Sequence, residues 1–183
     1  MAKNILNTQQ QKDAFDRNAN DYKLWFGKAR ALHFSAKELF KIYQKTLDEL
    51  MKKSGISEVP ISLEISDQVL LLEGFAIECL LKGLYLADGA ILAVDGKIKK
   101  DSHNLLRWCE KVNIELDNRE REIISTLSLV IVSYGRYPVP INNLINPLEK
   151  SKEFGYKPRL IWSHNDLVLI DNLIISILGE RDT

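Results

Sequence analysis

The stretch Ser66–Gly89, SDQVLLLEGFAIECLLKGLYLADG, constrains this chain more than any other, because apolar residues cover most of the circumference that a helical period gives it. A surface helix keeps a polar face, whereas a helix apolar nearly all round has to be covered on every side. The stretch therefore predicts a central helix with others packed around it, capped by Ser66 or Asp67 and stopped by Gly89. Gly74, Ala76 and Gly83 lie along it; small side chains there let neighbours approach closely, at about 1 kcal/mol of helix propensity per glycine. Glu78 and Lys82 are out of character, flanked by Phe75, Cys79, Leu81 and Tyr85. Two placements are open. The commoner is an exposed i to i+4 ion pair worth about 0.3–0.5 kcal/mol. The alternative turns both charges inward, where each needs a partner because desolvating an unpaired charge costs several kcal/mol. His103, Arg136 and Tyr137 are the candidate partners.

The remaining pattern supplies helices to surround this one. From Thr8 to Lys53 apolar residues recur at helical spacing, predicting a short helix and then a long one, or one long helix with a break around Asn18 to Asp21, with Gly27 marking a close contact and Gly55 a stop. The segment ISEVPISLEIS is a linker, and Asp95-Gly96 signals a small hairpin carrying Lys97, Lys99 and Lys100. Asp101 or Ser102 is placed to cap the helix HNLLRWCEKVNI, with His103 one or two residues inside it. Asp117 followed by Glu120 reads as a capping box opening a helix through REIISTLSLVIVSYG. RYPVPINNLINPLEKSKEFGYKPRL is rich in proline and reads as an extended wrapping segment, and Ser163 with Asp166 opens a last helix ended by Gly179.

With 183 residues, 45% of them hydrophobic, one helical domain over 1–183 has enough chain for a proper core. Its expected parts are a leading segment 1–20, a bundle core 21–135, a wrapping segment 136–162 and a last helix 163–179. The 25 basic and 25 acidic residues balance, which argues against coating nucleic acid by bulk charge but leaves room for a local basic patch. Cys79 and Cys109 lack metal-ligand spacing and read as small hydrophobes in a reducing compartment. No apolar run has signal-peptide or membrane-span character, so the expectation is a cytoplasmic protein with no membrane association. Phosphate-loop, HExxH and GxSxG motifs are absent, and no metal or cofactor is expected.

The order of the unusual residues matters. An E-x-x-x-K in the central helix (Glu78, Lys82), the glycine stop Gly89, an H-N-L opening the next helix (His103, Asn104, Leu105) and a later G-R-Y (Gly135, Arg136, Tyr137) together resemble the HEPN (higher eukaryote and prokaryote nucleotide-binding) family. The resemblance covers Ser66 to Pro138 by motif. It implies an all-α, antiparallel up-and-down bundle of five to six helices that forms a homodimer. It also implies nucleotide or RNA binding at a polar cluster of Glu78, Lys82, His103, Arg136 and Tyr137, in a bacterial accessory or defence system with a partner protein such as an antitoxin. Many members of that family are metal-independent ribonucleases that use an arginine followed four to six residues later by a histidine. Arg136 is instead followed by YPVPINN, which points to a catalytically degenerate member. A literal match occurs at Arg159 and His164; in a ribonuclease toxin His164 would act as acid or base, with Arg159 stabilising the charged phosphorane-like state. A third reading is a structural dimerisation or adaptor module, its polar cluster serving packing specificity.

Overall fold

The computed structural model describes residues 8–52, 65–99, 103–134 and 164–179. Among the described residues the chain is mostly helical. The elements run α1 (Thr8–Ala19), α2 (Tyr22–Met51), α3 (Ser66–Ala87), β1 (Ala93–Val94), β2 (Lys97–Ile98), α4 (Leu105–Lys111), α5 (Asn118–Leu129, continuing into a π turn at Val130–Tyr134) and α6 (His164–Gly179). The 136–162 segment falls outside the described residues, and so does the stop expected at Gly55. No helix among the described residues is long and apolar enough to cross a membrane.

The Ser66–Gly89 stretch is the central helix. α3 is touched by α2, α4, α5, the π turn and α6, which explains why it can be apolar on nearly every side. Ile77, Leu80 and Leu81 are fully buried, and they meet Leu105 and Trp108 of α4, Ile124 and Leu127 of α5, Ile131 of the π turn and Ile170 and Ile174 of α6 in one core. Each such side chain contributes roughly 1.5–3 kcal/mol on leaving water. The two α3 glycines mark its closest approaches. A Cβ on Gly83 would stand 2.5 Å from the Phe26 ring of α2, and one on Gly74 would stand 2.8 Å from Ile131. Gly27 corrects the expectation of a close contact, since a Cβ there would meet nothing within 4 Å.

Local punctuation explains most of the boundaries. Asp21 caps α2 by accepting from the Lys23 amide, and the Trp25 indole N–H donates to the Ala19 carbonyl at 2.8 Å, which together fix the corner between α1 and α2. Asp117 and Glu120 form the expected capping box at the start of α5. Asp95 and Gly96 have φ of 56° and 75°, the paired positive values of a type I′ turn, and join the antiparallel β1 and β2. This hairpin is anchored to α1: the Asp16 carboxylate accepts from the Gly96 amide at 2.9 Å, and the Asn20 side chain accepts from the Leu92 and Ala93 amides and donates to the Ala93 carbonyl. Two expected caps are corrected. α3 is entered through Ile65 with no side-chain cap. Asn104, not Asp101 or Ser102, caps α4 by accepting from the Arg107 amide, so His103 stands just before that helix rather than inside it. At the start of α6, Asp166 is wholly buried and bonded to Arg119 of α5.

Candidate functional site

Glu78 and Lys82 are an interior pair. Their side chains are only 7% and 14% exposed, the Lys82 ammonium donates to Glu78 Oε1 at 2.5 Å, and the exposed-stripe placement is thereby overturned. The other oxygen of Glu78 lies 3.0 Å from Nδ1 of His103, so one carboxylate serves partners from α3 and from the residue preceding the α4 cap. An ionised carboxylate can only accept. In the neutral ring this leaves Nδ1 carrying the proton and Nε2 an acceptor, a tautomer fixed by the carboxylate behind it. His103 is 43% exposed, so the dyad has a buried end and a solvent-facing end.

Aromatic rings complete the lining. The Lys82 ammonium lies 5.4 Å from the centre of the Trp25 ring and 5.6 Å from that of Trp108. Lys111 lies 4.1 Å from the Trp108 ring centre, and Tyr85 meets that ring edge to face at 5.5 Å. Each cation over a desolvated ring contributes about 0.5–2 kcal/mol. An ammonium on the inside of a helical core is tolerated because it has one carboxylate and two indole faces. Trp25 and Cys79 also line an adjacent open groove of about 340 Å³, whose other walls are Phe15, Asn18, Ala19, Leu24, Lys28 and Ile98. The groove is mainly apolar, with Lys28 the one charged side chain among these lining residues.

The structure thus brings together three of the five residues expected in the polar cluster: Glu78, Lys82 and His103. Arg136 and Tyr137 lie outside the described residues, as does Arg159. His164 is the first residue of α6, and its side chain is not among those described. Neither cysteine is set up as a nucleophile. Burial, with the Glu78 charge adding to it, pushes the Cys79 thiol up to about 11, and burial pushes Cys109 to about 12, so both stay protonated at neutral pH.

A second polar cluster escaped the sequence reading. His33 of α2 stands between Glu73 of α3 and Asp171 of α6, with Nδ1 2.9 Å from Glu73 Oε2 and Nε2 2.9 Å from Asp171 Oδ1. Lys37, one turn on from His33, holds both oxygens of Asp171 at 2.9 and 3.0 Å. Burial lowers the affinity of His33 for its proton, but bonds and charge from Glu73 and Asp171 outweigh it and hold the imidazole above its ordinary 6.5. Burial raises the Glu73 carboxyl, whereas Lys37 and His33 overcome a smaller desolvation and lower Asp171. A signal for these residues did exist. His33 continues the Phe26, Ala29, Ala36 stripe of α2, Glu73 the Leu70, Ile77, Leu80 stripe of α3, and Asp171 the Leu167, Ile174 stripe of α6. A titratable residue on the core stripe of each of three helices is the pattern to look for.

Among the described residues no group of three or more histidine, cysteine or acidic side chains converges as a metal site. Compared with family models, with curated proteins and with solved structures, the chain matches none.

Proposed function

We propose that this chain is a HEPN-like helical bundle that binds a nucleotide or a short stretch of RNA without cleaving it, as a homodimer within a bacterial accessory or defence system. The observation that carries this reading is the meeting of Glu78, Lys82 and His103, with Lys82 against the Trp25 ring that also lines an open groove together with Lys28. A base can stack against an aromatic face, an interaction worth about 1–3 kcal/mol per base in single-strand binding. Lys28 and the solvent-facing edge of His103 supply charge and hydrogen bonding for a phosphate or a ribose. The resemblance adds Arg136 and Tyr137 to this group, and their place directly after the π turn in sequence is consistent with it.

The test is binding of labelled nucleotides and short RNAs to the wild type, His103→Ala, Lys28→Glu and Arg136→Ala, with folding checked by circular dichroism. Binding by the wild type that drops at least about tenfold in each variant is the expected result, corresponding to one lost charge-assisted contact. No binding by any of them, with the fold intact, removes the proposal. RNA cleavage that disappears in His164→Ala would instead assign the ribonuclease role to Arg159 and His164.

A further inference from the structure

We propose that His33 is a pH-sensitive latch that fastens α6 to α2 and α3 while the cluster of His33, Glu73 and Asp171 holds one shared proton, and loosens α6 when that proton leaves. The inference rests on hydrogen-bond geometry. Both ring nitrogens of His33 face carboxylate oxygens at 2.9 Å, one on α3 and one on α6. A carboxylate offers no proton, and a neutral imidazole has only one N–H. Both contacts are satisfied when His33 is an imidazolium, or when Glu73 carries the proton and donates it to a neutral ring. In either arrangement the three groups contain one proton more than two carboxylates and a neutral imidazole, and they titrate as a unit.

Losing that proton falls on one contact. Glu73 is 4% exposed and needs the remaining N–H more than Asp171 does, because Asp171 keeps Lys37. The ring therefore keeps its Nδ1 proton toward Glu73 and turns an Nε2 lone pair toward Asp171. Two acceptors then face each other across the α2–α6 junction. Among the described residues the charged groups acting on His33 are Glu73 from α3 and Asp171 from α6, and Lys37 from its own helix acts on both carboxylates. Among the described residues α6 keeps two other polar ties, Lys37 to Asp171 and Arg119 to Asp166, and neither depends on the shared proton. The first turn of α6 is thus a fixed end, and the turns beyond it, left with the Lys37 contact at Asp171, are the part that loosens.

The sign follows from linkage. A histidine and a carboxyl that hold their proton more tightly in the folded state stabilise the attached state at low pH, and the gain disappears as pH rises through the folded titration point. Backbone amide exchange on the full chain, followed by mass spectrometry and corrected for the intrinsic rate, reads this directly. Protection of peptides from α6 should fall with rising pH at a rate approaching about tenfold per pH unit above about pH 6.5, the limit for one linked proton, while peptides from α3 hold theirs. In His33→Gln the α6 protection should not depend on pH over that range. Equal α6 protection on both sides of the range in the wild type, or the same fall in His33→Gln, overturns the latch. Should His33→Gln not fold, nitrogen-15 spectra of the wild-type ring decide: ring-nitrogen shifts that change with a midpoint above 6.5, by loss of the ring proton or by its move to Nδ1, support the proposal, and shifts that change at or below 6.5, or not at all, overturn it.

Discussion

α3 carries two buried glutamates, and each meets a histidine from outside its helix, yet the two pairs are built for different ends. Glu73 meets a His33 whose other nitrogen is taken by Asp171, so the ring is closed on both sides and its side chain is only 12% exposed. Glu78 meets a His103 bonded at Nδ1 and 43% exposed. The same two residue types therefore give a fastening in one place and a surface-facing acceptor in the other. What separates them is the third group: a carboxylate opposite His33, and a lysine sharing the glutamate behind His103. A histidine between two acids answers to pH by losing a contact, whereas one backed by a single acid keeps its outer nitrogen for something else.

The sharpest way to break this contrast is to remove Glu78. Glu78→Leu strands the Lys82 ammonium among apolar groups and should lower the unfolding free energy by about 3–5 kcal/mol in urea titration, while Glu78→Leu with Lys82→Met recovers most of the loss. Equal losses in the single and double variants would mean that the two charges are not a closed pair. Next in size is His33→Leu, which takes the partner from Glu73 and one from Asp171 and should cost about 1–3 kcal/mol at weakly acidic pH. That cost should shrink toward alkaline pH, because the wild type has by then lost the same contribution.

The pH dependence of the wild type sharpens the comparison further. His33 is held above its ordinary 6.5, so its contribution is complete below 6.5 and disappears as pH rises through the folded value. Glu73, held above its ordinary 4.5, acts in the same direction. Asp171 is lowered from 3.8, so its contribution is present above 3.8 and lost as pH falls through the folded value. The urea midpoint should therefore be highest at about pH 4 to 4.5, where all three contributions are present, and fall as pH rises from there; a midpoint still rising from pH 6.5 to 8 would contradict the cluster. The smallest stability effect belongs to His103→Ala, within about 0.5 kcal/mol because the ring is partly exposed and Glu78 keeps Lys82. That variant should nonetheless lose nucleotide or RNA binding, and unchanged binding would show that the open pair serves packing alone.

Several elements were legible because they carried their own signals within a few residues: the capping box at Asp117 and Glu120, the hairpin turn at Asp95-Gly96, and the apolar run of α3. The glycine contacts divided on what neighbours do. Gly83 faces Phe26 and Gly27 faces nothing, a difference that no residue near either of them encodes. The site was half legible for the same reason. Glu78 and Lys82 drew attention because both charges sit in one short stretch, whereas His33 and Asp171 lie 138 residues apart and meet only once α6 has settled against α2. Exposure of the Glu78–Lys82 pair was the commoner expectation, and it failed because α2 and α4 bring Trp25 and Trp108 over the lysine.

The π turn at Val130–Tyr134 has a consequence for how this bundle tolerates change in length. One additional residue in a helix rotates all that follows by about 100°, yet a wide turn absorbs it while keeping the flanking backbone bonded. Ile131 still reaches Gly74 across that wide turn. An insertion or deletion of a single residue within Val130–Tyr134 would therefore turn Ile131 off Gly74 and disturb the packing of α3.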